Sequence, residues 1–239
     1  LLFWLPFMLN SESLQSLQNV PSFDNREHFM HIGNFNHAPN KRAVEILHNT
    51  IWPELRQLLP DAELHIYGAY MPDDIKKLHN PSKKFIIKGW VENLENAYLN
   101  YRVCLAPLEF GAGQKGKLLE SMKFGTPNVT SSIGAEGMGN SENWNGFISD
   151  EPSEFIKNAC FLYQNSACWY EMQQRGFELL EIAFKKTTYS NLFINKLDYL
   201  FKNVEEHRSK NFIGSMLIQH TTNASKYFSK WIELKNKNN

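Results

Sequence analysis

A turn rich in glycine and lysine, between a predicted strand and a predicted helix, has the residue types of an anion-binding site. Its glycines, Gly111, Gly113 and Gly116, let the backbone approach a ligand closely. Lys115 and Lys117 place two positive charges at the same turn. The free amide groups and the dipole of the helix that begins here also favour negative charge. These residues therefore predict a site for a phosphate or another anion.

A carboxylate one turn into the same predicted helix adds a second kind of chemistry. Glu120 is placed to accept hydrogen bonds from hydroxyl groups. Lysines and amides suit a diphosphate and a carboxylate suits a ribose, so the turn fits a sugar nucleotide. A Walker A motif is excluded because Leu118, which has no hydroxyl for magnesium, follows Lys117. The dinucleotide-binding fingerprint is also excluded, because no acidic residue stands where it requires one after the second strand; Glu136 lies beyond that strand instead.

Strands and helices alternate through most of the chain, which is typical of a parallel sheet with helical crossovers. Strands are predicted at residues 27–32, 62–67, 85–90, 102–107, 127–131 and 146–149. Helices are predicted at residues 39–59, 93–100, 115–124, 153–164, 167–184 and 190–206, with further helix to about residue 235. The expected fold class is α/β: a Rossmann-like parallel sheet of about six strands with helices on both faces, followed by C-terminal helices. Glycine-bearing loops, including one at 134–139, gather at the carboxyl edge of this sheet, where such folds bind ligands.

Length and composition narrow the classes of function. The chain has 239 residues, of which 42% are hydrophobic, and a formal net charge of +0. This neutrality argues against a general binder of nucleic acid or of membrane surfaces. The three cysteines, Cys104, Cys160 and Cys168, lack metal-ligand spacing, and Cys104 lies in a buried-strand pattern. We therefore expect a reduced, cytoplasmic protein.

The chain divides by its pattern into three expected segments. It begins at Leu1 rather than at methionine, which favours a piece of a longer protein. We interpret residues 1–26 as a hinge and linker left from a missing N-terminal domain, with a strand in the apolar first nine residues. The segment after that strand is expected to be a linker or a short helix. Residues 27–185 are expected to form a nucleotide-sugar-binding domain, and residues 186–239 a C-terminal helical extension.

Several short motifs follow one another across residues 27–185. They are Ile32-Gly33-Asn34-Phe35 with Pro39-Asn40, Ile51-Trp52-Pro53, Leu59-Pro60-Asp61-Ala62-Glu63-Leu64, Gly89-Trp90-Val91, Leu105-Ala106-Pro107-Leu108, Phe110-Gly111-Ala112-Gly113 with Lys115-Gly116-Lys117-Leu118-Leu119-Glu120, Gly125-Thr126-Pro127, and Ile133-Gly134-Ala135-Glu136-Gly137-Met138. By their order and spacing, the chain resembles the C-terminal, donor-binding domain of a family-four (group 1) glycosyltransferase of the GT-B fold. The helices after about residue 190 are not covered by the resemblance.

The resemblance implies where a sugar nucleotide would bind. The donor diphosphate is expected on the turn at Lys115 and Lys117, and the ribose hydroxyls at Glu120. The base is expected near the main chain of Trp90. The complete donor-binding set implied by the resemblance is Gly33, Asn34, Gly89, Trp90, Val91, Gly111, Gly113, Lys115, Gly116, Lys117, Leu118 and Glu120.

One position departs from the family pattern. That pattern has two glutamates eight positions apart, the first of which contacts the sugar. Glu120 fills the second place, but Ala112 occupies the first. Glu109 and Glu136 are the remaining candidates for a sugar contact, and the catalytic residue stays unassigned. His37, in the loop after the first predicted strand, is a further candidate to approach the donor.

The activity implied by the resemblance is transfer of a hexose from a UDP- or GDP-linked donor, with retention of configuration and without a metal or cofactor. The acceptor, a glycan, lipid or protein, would bind through the missing N-terminal domain, and any peripheral contact with a membrane would be made through that half. No nucleic acid partner is expected, and the fragment alone is expected to be inactive. Two alternatives stay open: a sugar-nucleotide epimerase of the same fold, and a non-catalytic nucleotide-binding module.

Overall fold

The computed structural model describes residues 3–10 and 20–237, and its centre is a sheet of six parallel strands. The strands are β1 (Glu27–Ile32), β2 (Leu64–Tyr67), β3 (Phe85–Gly89), β4 (Tyr101–Ala106), β5 (Asn128–Thr130) and β6 (Gly146–Ile148). They lie in the order β3-β2-β1-β4-β5-β6, with every neighbouring pair parallel. The order reverses between β1 and β4, which creates a crevice at their carboxyl ends. The predicted α/β class, strand number and direction are confirmed.

Helices cover both faces of the sheet. Those between and after the strands are α1 (Ala38–Ile46), α2 (Trp52–Leu58), α3 (Asp73–Lys76), α4 (Leu94–Leu99), α5 (Gly116–Lys123), α6 (Ser132–Ala135), α7 (Pro152–Gln164) and α8 (Ser166–Ala183). The alternation of buried side chains along β4 shows why two layers form. Val103 and Leu105 pack with α1, α2 and α7, whereas Cys104 and Ala106 pack on the opposite face with α4, α5 and α8.

The helix predicted at residues 39–59 forms with one irregularity. Residues 47–51 make a π-helical segment that joins α1 to α2. Pro53 has no N–H to donate to the preceding turn, so the regular hydrogen-bond ladder cannot continue unbroken here. The buried stripe still forms, because Leu47, Ile51 and Leu55 all lie fully inside the core.

The glycine-rich stretch after β5, expected to be a loop, begins with the short helix α6. Ser131 caps this helix, since its hydroxyl oxygen accepts a hydrogen bond from the amide of Gly134 at 3.2 Å. Gly134 lies against Thr130, and a Cβ there would come within 1.9 Å of the threonine hydroxyl oxygen. The loop proper therefore starts only at Glu136.

The expected strand at the start of the chain does not form over residues 3–10. Leu9 alone makes an isolated bridge, with Lys185. Its N–H donates to Phe184 and its carbonyl accepts from Lys186, both at the end of α8 and the start of the next helix. Residues 11–19, where a linker or short helix was expected, lie outside the described residues.

The chain forms two compact units that divide between Thr188 and Tyr189. Three helices complete it, namely α9 (Lys186–Lys202), α10 (Val204–Lys210) and α11 (Phe212–Lys237). The single helix predicted at residues 190–206 is instead broken at Asn203, whose backbone leaves the helical region. No helix within residues 3–10 and 20–237 is long and apolar enough to cross a membrane.

Candidate functional site

A cavity of about 600 Å³ opens at the carboxyl ends of β1 and β4, where the strand order reverses. Gly33 and Asn34 follow β1 and form one wall. The turn from Gly111 to Lys117, with the first turn of α5, forms the other wall. This is the position at which an open α/β sheet holds its ligand. The crevice predicted from the sequence is therefore present, and the glycine-rich turn lines it.

The backbone of the turn requires glycine at two positions. Gly111 has a φ of +136° and Gly113 a φ of +74°, conformations that other residues rarely adopt. The turn ends at Lys115, which is the N-cap of α5, and no side chain caps the helix there. The amino end of α5 thus presents its dipole to the cavity without a side-chain acceptor on its first amides.

Lys117 is a half-buried cation that faces this cavity. Its Nζ donates a hydrogen bond to Oδ1 of Asn40 at 2.6 Å. Desolvation lowers the pKa of Lys117 from 10.5 to about 8. Within the described part of the chain, no carboxylate lies within ion-pair distance of its ammonium group. A desolvated positive charge without a negative partner favours binding of an anion.

Lys115 plays a different part from Lys117. Its Nζ donates to the carbonyl oxygen of Gly113 and so closes the turn on itself. Burial lowers the pKa of Lys115, while the nearby charge of Glu136 acts in the opposite direction. Lys115 lines the cavity, but part of its hydrogen-bonding capacity already stabilises the turn.

Glu120 lies one turn after Lys117 and lines the same cavity. Its carboxylate is half-buried, and Lys123 Nζ lies 3.7 Å from Oε2. Tyr98 adds a second polar group, since its hydroxyl donates to the carbonyl oxygen of Lys117 at 2.8 Å. Burial raises the pKa of Tyr98, so this hydroxyl stays protonated at neutral pH. The cavity therefore combines a cation, a carboxylate and helix amides within one turn of α5.

The structure brings together seven residues of the predicted donor-binding set. These are Gly33, Asn34, Gly111, Lys115, Gly116, Lys117 and Glu120. Gly113 shapes the turn but does not line the cavity, and Leu118 is fully buried in the core beneath it. His37, the candidate from the loop after β1, also lines the cavity.

The residues expected near the base lie apart from this cavity. Gly89 and Trp90 line a second, shallower cavity of about 610 Å³ together with Tyr70 and Lys88. Trp90 is 67% exposed, so it does not cap the core. Val91 is partly buried and packs against the core cluster that contains Ile32 and Tyr98. A base contact at these residues stays a prediction.

The two glutamates considered for a sugar contact also lie outside the cavity lining. Arg42 donates from Nε to Oε2 of Glu109 at 2.7 Å and from Nη2 to Oε1 at 3.1 Å. This pairing with Arg42 lowers the pKa of Glu109. Glu136 is exposed and follows α6. Neither glutamate lines the cavity, although the charge of Glu136 acts on Lys115, and a sugar contact by either stays a prediction.

Three polar residues that line the cavity are not in the predicted donor-binding set. Asn40, Tyr98 and Gln114 all lie on its wall. Gln114 Oε1 accepts from the amide of Phe7, and its Nε2 donates to the carbonyl of Gly137, both at 2.8 Å. These contacts join residues far apart in the chain, so no local pattern could have shown them. Over residues 3–10 and 20–237, no group of His, Cys, Asp or Glu is arranged to hold a metal ion.

The fold is a doubly wound α/β sheet, and a cavity lined by Lys115 and Lys117 lies at its topological switch point. A family model described as glycosyl transferases group 1 matches residues 26–165, which is more than half of the chain. The chain belongs to this family. A search among curated proteins found no match.

Solved structures with a similar fold share little sequence with this chain. A mutant of S. aureus TarM, crystallised with Fondaparinux, alpha-GlcNAc-glycerol and UDP, is 16% identical with a TM-score of 0.61 over 74% of this chain. Anabaena HepE, crystallised with UDP and glucose, is 13% identical with a TM-score of 0.59 over 80% of this chain. The chain spans only 36% of that TarM and 53% of that HepE. It spans 95% of the C-terminal domain of a group 1 glycosyl transferase, LpcC, from Francisella tularensis, at 16% identity and a TM-score of 0.53 over 75% of this chain.

Proposed function

We propose that this chain binds the diphosphate of a sugar nucleotide and forms the donor-binding half of a hexosyltransferase. The observation that carries the proposal is Lys117. Its ammonium group is desolvated enough to lower its pKa to about 8, yet it faces the cavity without a carboxylate partner among the described residues. A desolvated charge without a partner destabilises the unliganded protein. A bound diphosphate would remove this destabilisation by pairing with the charge.

The other cavity groups fit the remaining parts of such a ligand. The amino end of α5 offers amides and a positive dipole to the phosphates. Glu120, one turn later, is placed to accept hydrogen bonds from ribose hydroxyls. The loop at Gly33 and Asn34 stands across the cavity, where it would meet the distal phosphate or the sugar. UDP is the first donor nucleotide to test, since TarM and HepE were crystallised with it.

The proposed chemistry is loss of the nucleoside diphosphate from the sugar. Negative charge develops on that leaving group, and Lys117 with the α5 amides would stabilise it. This supply of positive charge is the reason for proposing transfer without a metal or other cofactor. Retention of configuration is carried over from the resemblance to the family. The free thiols Cys104, Cys160 and Cys168 suit the reducing environment of the cytoplasm.

The acceptor would bind outside this chain. The relatives of known structure include TarM and HepE, of which the chain spans about a third and a half. We propose that an N-terminal domain binds the acceptor, whether glycan, lipid or protein. Residues 1–239 alone would then bind a donor nucleotide without transferring sugar efficiently.

Titration calorimetry on the 239-residue chain tests the proposal. UDP, GDP and their sugars are compared with uridine and guanosine. Binding of one diphosphate, and much weaker binding of its nucleoside, is the expected result. If neither nucleoside diphosphate binds, the proposal is wrong.

A second candidate is a non-catalytic nucleotide-binding module, which Ala112 favours because it replaces a carboxylate in the family pattern. That module would also bind UDP or GDP, so calorimetry cannot separate it from the donor half of an enzyme. Products formed by a protein that includes an acceptor domain separate the two, and they also separate a transferase from an epimerase.

A further inference from the structure

The side chain of Asn40 joins the two walls of the cavity. Its Oδ1 accepts a hydrogen bond from Lys117 Nζ at 2.6 Å, and its Nδ2 donates to the carbonyl oxygen of Asn34 at 2.7 Å. A lysine ammonium can only donate and a carbonyl can only accept, so these two partners fix the orientation of the amide. Asn40 therefore connects the loop after β1 to the first turn of α5.

The backbone opposite Asn40 leaves room for this side chain. Gly33 lies against it so closely that a Cβ at residue 33 would come within 2.6 Å of Asn40 Cγ. Helix α1 holds Asn40 from the other side, since it lies within the first turn of Ala38–Ile46. The amide is thus held from both sides, and the glycine at position 33 is accounted for by packing.

The neutrality of the amide matters as much as its position. A carboxylate at the same place would form an ion pair with Lys117 and would repel an incoming diphosphate. An amide oxygen offers a hydrogen bond to the ammonium group but leaves its net charge uncompensated. Two titratable groups on the strands act on Lys117, namely His31 and Cys104, and burial keeps both neutral around pH 7 because it lowers the pKa of His31 and raises that of Cys104 to about 12. Glu120, on the same helix, lies beside Lys123.

We propose that Asn40 is a positioning residue, which holds the Lys117 ammonium group toward the diphosphate while leaving its charge free for the ligand. This inference rests on the proposed function, because it gives Lys117 a diphosphate to bind. Asn40 is not in the predicted donor-binding set, and the family match assigns no role to it.

Two substitutions with opposite electrostatic effects test the proposal. Asn40→Ala removes the acceptor of the Lys117 hydrogen bond and should therefore lower the pKa of Lys117. Asn40→Asp adds a negative charge beside the ammonium group and should therefore raise that pKa. Asn49→Asp is the matched control, since Asn49 is exposed and takes the same change of charge. The binding of UDP and of uridine is measured by calorimetry from about pH 6 to about pH 10, a range centred on the lowered pKa of Lys117, which is about 8.

Both Asn40 variants are expected to weaken UDP binding about tenfold at pH 7, the scale of one charge-assisted hydrogen bond. Uridine binding should not change. The pH at which UDP affinity begins to fall should move down in Asn40→Ala and up in Asn40→Asp, while Asn49→Asp behaves as the unaltered chain. A ¹³Cε titration of Lys117 by NMR, without ligand, should show the same opposite shifts.

Opposite shifts cannot arise from loosened packing alone, so they separate a positioning role from a merely structural one. If the unaltered chain binds UDP and both variants keep its affinity and pH profile, the inference about Asn40 is wrong and the proposed function stands. Shifts in the same direction, with lowered melting temperatures, also overturn it. If the unaltered chain does not bind UDP, both the function and the inference fail. Should Asn40→Ala not fold, Asn40→Ser takes its place, with a smaller shift expected because its hydroxyl is shorter.

Discussion

Lys117 and Glu120 lie three residues apart on α5 and line the same wall of one cavity. This spacing places two side chains on one face of a helix, one turn apart. The nearest charged neighbour of Glu120 is Lys123 rather than Lys117. The cation and the carboxylate are therefore adjacent without neutralising each other, and each is free to meet a different part of a nucleotide.

Lys117→Ala should weaken the binding of UDP at least about tenfold while leaving uridine binding nearly unchanged, because the lysine acts on the phosphates alone. Calorimetry with both ligands measures the two effects. Lys77→Ala, which removes an exposed lysine outside the cavity lining, is the control. Equal weakening of UDP and uridine would show that Lys117 does not face the diphosphate.

Glu120→Gln should produce the complementary pattern. Loss of a charged acceptor weakens hydrogen bonds to ribose hydroxyls, so UDP and uridine should both bind about tenfold more weakly. Inorganic pyrophosphate, which has no ribose, should bind as well as before or better. Glu154→Gln, on the exposed side of α7, controls for the change of charge. A loss confined to pyrophosphate would contradict the assignment.

The affinity for UDP should be nearly constant up to about pH 8 and should fall at higher pH. Desolvation lowers the pKa of Lys117 to about 8, so above this value the free protein carries a neutral lysine that must take up a proton when the diphosphate binds. Calorimetry across this range, in buffers of different ionisation enthalpy, measures both the affinity and the proton uptake. A profile that stays flat through pH 9, well above that pKa, would contradict it.

Lys117→Met should stabilise the ligand-free chain at pH 7 by about 1 kcal/mol. The shift of the lysine pKa from 10.5 to about 8 corresponds to about 3 kcal/mol, and the Asn40 amide left without its partner offsets about 2 kcal/mol of it. The sign follows from the lowered pKa. The folded state loses this proton near pH 8 and the unfolded state near 10.5, so the charge destabilises the fold fully below pH 8 and progressively less above it. Chemical denaturation at pH 7 and at pH 10 measures the difference, which should shrink at the higher pH. A loss of stability at pH 7 would show that the lysine supports the fold instead.

Glu109→Gln should change UDP binding by less than about twofold, because a side chain paired with a surface arginine contributes little elsewhere. The two hydrogen bonds from Arg42 hold Glu109 against α1. Calorimetry with UDP and with a UDP-sugar measures the effect. A large loss with the UDP-sugar alone would restore Glu109 as a sugar contact.

The site on α5 could be predicted from sequence because its signals are local. The apolar run that forms β4, the positive-φ glycines at 111 and 113, and the helix that follows all lie within about twenty consecutive residues. Backbone geometry then places Lys117 and Glu120 at the carboxyl edge of the sheet.

The groups that surround this helix could not be predicted in the same way. The contact between Asn40 and Lys117 joins residues 77 positions apart, and that between Arg42 and Glu109 joins residues 67 apart. Such contacts depend on how whole elements pack, which no local pattern encodes. Trp90 is a further example. The strand that precedes it was predicted from the sequence, but the exposure of its side chain was not.

A crystal structure of the chain with UDP is the sharpest test of the proposed donor site. We expect the diphosphate at the amino end of α5, with one of its oxygens about 3 Å from Lys117 Nζ, and the ribose beside Glu120. A diphosphate bound elsewhere, with Lys117 still bonded only to Asn40, would contradict it.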